Sequence, residues 1–292
     1  MLILGFTDYE VQGRAFADAA GASFCCVEIH RFPDGESQVR VPAPVPAHVV
    51  LCRTLDHPND KLVELLLAAR TARHLGAQRL TLVAPYLCYM RQDAEFERGD
   101  AVSQKIIGQF LGELFDDVVT VDPHLHRTES LAEALPNTRS MQVTATGLMA
   151  EHLLAFRRGP TLLVGPDQES KQWVEVVAKQ CELPFAVATK TRFGDREVIV
   201  DATDLVVADR HVVLIDDVCS SGETLATAAR ALRARGASGI TAMVSHAVFS
   251  TGAVDVLRSA GIGEIVSSDS VCHPSNGMAL AQVLANGLAR VL

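Results

Sequence analysis

Basic residues are the scarcer charge in this chain: 26 lysines and arginines face 35 aspartates and glutamates, a formal net charge of −9 over 292 residues. A general nucleic-acid surface rests on a basic footprint, so this balance argues against one. It leaves room for a small anionic substrate, because a few local cations and backbone amides are enough to hold a phosphate. Long apolar runs are also missing. No segment reaches the length of a membrane span, and Met1-Leu2-Ile3-Leu4-Gly5-Phe6 lacks the basic region and extended apolar stretch of a signal peptide. The seven cysteines include no C-x-x-C pair and mostly fall in apolar, strand-like runs, so buried reduced thiols are expected. These absences predict a soluble, cytoplasmic protein. What is present is apolar bulk, 48% hydrophobic against 21% charged residues, ample for a packed core in a chain long enough for two domains.

Short β-branched or apolar runs alternate with amphipathic helical patterns almost from end to end. Strands are expected at Leu2–Phe6, Val49–Arg53, Leu80–Ala84, Val118–Val121, Thr161–Val164, Phe185–Ala188, Val212–Ile215, Ile240–Ser245 and Ile265–Ser267. Helices are expected at Asp60–Leu75, Ala101–Leu114, Lys171–Cys181, Thr224–Arg235 and Met278–Leu288. Strands separated by helices of this length read as βαβ units around a parallel sheet. Ser37–Val41 alternates polar and apolar residues, as a half-exposed or edge strand does. No repeat is visible letter by letter, yet the order of elements runs through twice and breaks near Met141–Thr146. Domains of 1–145 and 146–292 follow, and the last helix could pack on either.

The most informative segment is Asp216-Asp217-Val218-Cys219-Ser220-Ser221-Gly222-Glu223-Thr224. An apolar strand runs into two consecutive carboxylates, then into a small, hydroxyl-rich turn that opens a helix. Ligands of open parallel sheets sit beyond the carboxyl ends of strands. A turn of this kind offers a phosphate dianion backbone N–H groups, hydroxyls and the positive end of a helix dipole. The two acids cannot favourably face that phosphate, so they point to neutral hydroxyls or a cation, and a phosphorylated sugar carries both groups. The plainer alternative is a helix start with Ser220 or Ser221 as N-cap. Two adjacent carboxylates at the end of an apolar strand are costly for a cap alone.

Five other segments follow predicted strands or form turns. Pro85–Asp93 ends in Arg91-Gln92-Asp93, a planar cation, an amide and an acceptor that can bind a phosphate and a nucleotide. Asp122-Pro123-His124-Leu125-His126-Arg127 carries alternating histidines, which suit either a metal pair or a satisfied buried group. In Gly165-Pro166-Asp167-Gln168-Glu169-Ser170-Lys171, Asp167 reads on pattern alone as an N-cap. Lys190 and Arg192 alternate in an extended loop, either a solvated hairpin tip or a pair of cations on one face. Arg31-Phe32-Pro33-Asp34-Gly35-Glu36 is strong turn chemistry.

In their order and spacing these segments resemble the ribose-phosphate diphosphokinases, closest in loop motifs to archaeal-type members. The 216–224 loop is shared with type I phosphoribosyltransferases. The resemblance spans essentially the whole chain. It implies an α/β fold of two tandem phosphoribosyltransferase-like, Rossmann-like domains, with mainly parallel sheets and flanking helices. The implied reaction is magnesium-dependent transfer of diphosphate from ATP to ribose 5-phosphate. It assigns the sugar hydroxyls to Asp216 and Asp217, and the 5-phosphate to Ser220, Ser221, Gly222, Glu223 and Thr224. ATP falls to Arg91 and Gln92, with Asp93 in support, and to Phe32, Asp34 and Glu36 reaching adenine from a neighbouring subunit of a homo-oligomer. Magnesium falls to His124 and Asp167, the catalytic cations are Lys190 and Arg192, and His126 is left unassigned. Ala94 and Glu95 stand where basic residues are common in the family, Glu223 replaces a small residue, and Glu169 and Ser170 occupy a turn that usually contains glycine. These departures keep open a non-catalytic regulatory homologue or an altered phosphosugar acceptor. A phosphoribosyltransferase is the other rival, and it would not need Pro85–Asp93.

Overall fold

In the computed structural model the described residues are 1–125, 127–156, 159–188, 190–193, 196–199 and 207–292, with the backbone alone described at 190–193 and 196–199. The chain divides into two compact units, Met1–Thr144 with Leu280–Leu292, and Ala145–Ala279.

The first unit runs β1 (Leu2–Gly5), α1 (Glu10–Ala19), β2 (Ser23–Cys26), β3 (Glu28–Arg31), β4 (Ser37–Arg40), β5 (His48–Cys52), α2 (Pro58–His74), β6 (Arg79–Ala84), α3 (Ser103–Leu114), β7 (Asp117–Val121), α4 (Leu131–Ala134) and β8 (Arg139–Val143). Its sheet is ordered β2-β1-β5-β6-β7-β8 with every neighbour parallel. The second unit runs α5 (Thr146–Phe156), β9 (Thr161–Gly165), α6 (Lys171–Cys181), β10 (Phe185–Val187), β11 (Lys190–Phe193), β12 (Arg196–Ile199), β13 (His211–Cys219), α7 (Glu223–Ala234), β14 (Gly239–Ala247), α8 (Ala253–Ser259), β15 (Glu264–Ser268) and β16 (Asn276–Met278). Its sheet, β10-β9-β13-β14-β15-β16, is again parallel throughout.

One strand order is therefore used twice, as the alternating pattern predicts. Each unit also inserts an antiparallel hairpin at the same point of the chain, β3–β4 in the first and β11–β12 in the second. The duplication reaches single residues. His48 lies opposite Arg79 and Thr81 opposite Asp117; His211 lies opposite Gly239 and Thr241 opposite Glu264. In both units histidine Nε2 is 2.9 Å from the threonine Oγ1. The last helix, α9 (Ala281–Val291), packs on α1, β7 and β8 in the first unit, and α5 packs on α6 and β16 in the second.

The central strands are buried on both faces, which is why they read as continuous apolar runs rather than alternating ones. Leu51, Leu65, Leu82 and Val118 belong to the core of the first unit, and Leu162, Leu214, Ala229 and Val244 to that of the second. α2 shows the usual polarity of helix ends, with Pro58 and Asp60 in its first turn and Arg73 and His74 in its last. No helix among the described residues is long and apolar enough to cross a membrane.

One local expectation needs correction. Met278 does not begin a helix; it pairs with Ser268 in the short edge strand β16, and the helix starts at Ala281. Ser37–Arg40 is a half-exposed strand as expected, paired with β3 alone.

Candidate active site

β13 carries its apolar run up to Asp216 and Asp217, which keep only 8% and 2% of their surface exposed. Asp217 N–H donates to Asp216 Oδ1 at 3.0 Å. Burial raises the Asp216 carboxyl well above the ordinary carboxylate range, and the charges of Asp217 and Asp167 raise it further. Ser220, Ser221 and Gly222 then turn the chain into α7, with Gly222 in the left-handed region at φ 81° as the residue before the helix. A Cβ there would lie 3.2 Å from the Ala253 carbonyl oxygen and 3.1 Å from Leu257 Cγ, so both dihedral and space call for glycine. The loop after β14 braces the turn, Ser250 N–H donating to the Ser220 carbonyl at 3.1 Å. Ser221 and Glu223 are exposed, Ser220 and Thr224 half-buried. The exposed Glu223 side chain leaves the backbone amides at the start of α7 as the anion-facing groups.

At the end of β9, Asp167 is a turn-forming residue. Its Oδ1 accepts from the backbone N–H groups of Glu169 and Ser170, both at 3.1 Å. Ser170 is buried and donates its hydroxyl to the Asp167 carbonyl at 2.6 Å, while Glu169 is exposed. A Cβ on Gly165 would come within 2.5 Å of that hydroxyl. The turn thus folds Ser170 inward and Glu169 outward. Lys190 and Arg192 fall on β11, opposite Ile199 and Glu197 of β12; their side chains lie outside the described residues, as does His126.

In the first unit the loops after the adjacent strands β6 and β7 are tied together. Asp93, its side chain only 1% exposed, accepts from Arg127 Nη1 at 3.1 Å and from Arg127 N–H at 2.9 Å. Both contacts tie Asp93 to the loop after β7. Gln92 accepts from Ser103 Oγ at 2.7 Å, and Gln104 donates to the Met90 carbonyl at 3.0 Å, so the start of α3 holds the loop. Arg91 is exposed, and His124, just beyond β7, is half-buried. Arg91, Gln92 and His124 thereby come to one edge of one sheet. The β3–β4 hairpin is anchored elsewhere, on α2, by Arg31 and Ser37, each 3.1 Å from Glu64 Oε1. Its tip presents Phe32, Asp34 and Glu36 to solvent, with Asp34 Oδ1 accepting from Glu36 N–H at 3.1 Å. A hollow of about 550 Å³ between this tip and α2 is lined by Asp34, Glu36, Asp60, Val63 and Leu67.

The duplicated register explains why only one unit has a sugar-type loop. Arg53 occupies in the first unit the place of Asp216 in the second, one residue beyond the matched stretch that starts at His48 and His211. Arg53 is 3% exposed and donates to the buried Glu64 at 2.6 Å and to Asp8 at 3.3 Å, with its guanidinium 4.3 Å from the Phe6 ring centroid. α2 begins five positions after Arg53, at Pro58, whereas α7 begins seven positions after Asp216, at Glu223. A shorter turn and an internal ion pair thus occupy in the first unit the strand end where the second unit has its acid pair and small-residue turn. Pattern reading misses this plug, because nothing in the local sequence around Arg53 marks it as the partner of a residue 163 positions away.

Both units are phosphoribosyltransferase-like α/β domains. Residues 1–114 match the model for the N-terminal domain of ribose phosphate pyrophosphokinase, and residues 132–259 match the phosphoribosyl transferase domain. The ribose-phosphate pyrophosphokinase of Methanopyrus kandleri is 31% identical over 290 residues, 99% of this chain and 98% of its own length. That of Saccharolobus solfataricus is 34% identical, covering 93% of each. The crystal structure of phosphoribosylpyrophosphate synthetase from Mycobacterium smegmatis superposes with a TM-score of 0.82 over 99% of this chain and 98% of its own, at 23% identity, and supports the fold. The chain belongs to the ribose-phosphate pyrophosphokinase family.

Proposed function

We propose that this protein transfers the terminal diphosphate of ATP to the anomeric hydroxyl of ribose 5-phosphate, giving 5-phosphoribosyl 1-diphosphate and AMP. The observation that carries this reading is the buried Asp216–Asp217 pair leading into an open small-residue turn, in a chain of this family. Asp216 and Asp217 accept hydrogen bonds from the ribose hydroxyls, which relieves the repulsion that otherwise drives Asp216 to take up a proton. The amides and hydroxyls of Ser220, Ser221, Gly222, Glu223 and Thr224 hold the 5-phosphate. Arg91 and Gln92 bind ATP, with Asp93 fixing their loop through Arg127. The exposed hairpin tip of Phe32, Asp34 and Glu36 serves adenine on a neighbouring subunit of a homo-oligomer. The anomeric oxygen attacks the β-phosphorus, the bond to the α,β-bridging oxygen breaks, and AMP departs. Lys190 and Arg192 offset charge on the migrating diphosphate, so that positioning and electrostatics carry the step.

Magnesium fits the donors present. Asp167, Asp216 and Asp217 influence one another electrostatically, and such an acidic neighbourhood suits a hard cation. Among the described residues no three metal-type side chains form a ready cage. This agrees with an ion that keeps most of its waters and binds through one or two protein groups plus phosphate oxygens. His124 would hold an ATP-associated magnesium and Asp167 would help hold a second one; each ion would supply neutralisation of phosphate charge. All seven cysteines are free thiols, as a reducing cytoplasm requires.

The test is direct. Purified protein with magnesium, ATP and ribose 5-phosphate is expected to release AMP and a diphosphorylated pentose in equal amounts. Binding of both ligands without AMP would replace this reading by a regulatory one. A requirement for a nucleobase would replace it by a phosphoribosyltransferase.

A further inference from the structure

The two copies of the fold differ sharply at the end of the sheet away from the ligand loops. In the first unit Arg79 opens β6 and grips the buried Asp117 with two bonds, Nε to Oδ2 at 2.8 Å and Nη2 to Oδ1 at 2.9 Å. The same guanidinium donates to the Val291 carbonyl at the C-terminal end of α9. Thr81 completes the cluster, its hydroxyl 3.0 Å from Asp117 Oδ2. In the second unit Gly239 stands at the register place of Arg79, Glu264 at that of Asp117 and Thr241 at that of Thr81. The acid and the hydroxyl are kept, with Thr241 Oγ1 3.4 Å from Glu264 Oε2, but the arginine is gone. Among the described residues no cation pairs with Glu264.

His211, Thr241 and Glu264 border a cavity of about 380 Å³, lined also by His152, Leu153, Phe156 and Met243. This volume is within the range of small-molecule sites, roughly 300–1,000 Å³. His152, Leu153 and Phe156, from the last described turn of α5, border the cavity, as the end of α9 receives Arg79 in the first unit. A helix C-terminus favours positive charge, a carboxylate favours a forked N–H donor, and an aromatic face favours a cation. The apolar side chains of Leu153, Val213 and Met243 suit a short hydrocarbon stem.

We propose that this cavity binds a small organic cation, a guanidinium or primary amine on a short aliphatic chain, in the position that Arg79 fills in the first unit. The site is distinct from the sugar loop. Val213 lines the cavity, and Asp216 lies three residues further along β13, about 10 Å at ordinary strand rise.

Calorimetric titration of the full chain with agmatine tests this, with N-butylurea at matched ionic strength as the neutral control. Agmatine is expected to bind saturably at one site per chain, and N-butylurea not at all. Glu264→Gln should weaken agmatine by about tenfold or more, the loss of one charge-assisted pair, with an unchanged melting temperature. Gly239→Arg, which restores the first unit's arrangement, should abolish binding. Its Cβ would meet His211 Nδ1 at 2.7 Å, so the exposed Glu264 variant carries the test if that protein folds poorly. Absence of saturable binding, or equal binding to the Gln variant, overturns the proposal. So does a change in sedimentation on Glu264→Gln without agmatine binding, which would make the cavity a seat for a side chain of a second copy.

Discussion

Replacing Asp216 by asparagine should make the ligand-free protein more stable and the enzyme inactive. Asp216 is 8% exposed and lies beside Asp217, itself 2% exposed, with Asp167 near enough to add to the repulsion. Asparagine keeps an oxygen to accept the 3.0 Å bond from Asp217 N–H and discards the charge. Each unit of pKa displacement is worth about 1.4 kcal/mol. Removing a buried, repelled carboxylate should therefore gain about 1–2 kcal/mol at neutral pH. In a unit of this size that raises the melting temperature by about 2–8 °C. The pH dependence fixes the sign. A folded-state pKa above the unfolded value near 3.8 means that the folded protein holds the extra proton between the two values. The stabilising contribution is whole below the unfolded value and is lost as pH rises through the folded one. The advantage of the Asn variant should thus grow with pH across that window. Scanning fluorimetry, with and without ribose 5-phosphate, reads both effects: wild type gains stability from the sugar phosphate and the variant does not. A variant that melts below wild type without ligand, or that keeps the ligand shift, would refute the argument.

Three further outcomes are expected. Lys190→Ala should lower turnover by orders of magnitude in the AMP-release assay while leaving ribose 5-phosphate binding intact; a comparable loss of binding would refute its catalytic role. Gly222→Ala forces φ 81° on a residue with a Cβ and should destabilise by about 1–2 kcal/mol and raise KM for the sugar phosphate, read by thermal melting and initial rates. Arg53→Met strands the buried Glu64 and should cost about 3 kcal/mol in urea unfolding, the low end of the usual range because Arg31 and Ser37 still reach Glu64; adding Glu64→Gln should recover most of it.

Much of the fold was legible because its strands are buried on both faces and flanked by amphipathic helices, patterns that survive in composition alone. The loop at 216–224 was legible for a related reason: two acids after an apolar run have no cheap structural excuse. The pattern around Asp167 spoke for the N-cap of a helix, but Ser170 holds that position and Asp167 instead ties the preceding turn through its two backbone bonds. The short β2, β8 and β16 were not visible, since edge strands of three to five residues carry too few side chains for a period. Nor was the bracing of Asp93 by Arg127 apparent, because they follow different strands and meet only through sheet order.

Duplication makes the division of labour between the units intelligible. Two copies of one open sheet begin with equivalent strand ends, and what each end can bind depends on whether its turn is left open or filled. At the end of β5 an arginine paired with a buried glutamate and a shorter turn occupy that place. At the end of β13 two carboxylates stay buried side by side, and burial together with the charges of Asp217 and Asp167 raises the Asp216 pKa. At the opposite end of the sheets the relation is the same: the first unit has an arginine, Arg79, where the second has Gly239. Filled positions stabilise and open ones bind, so the places where the two copies disagree are where ligands should be sought.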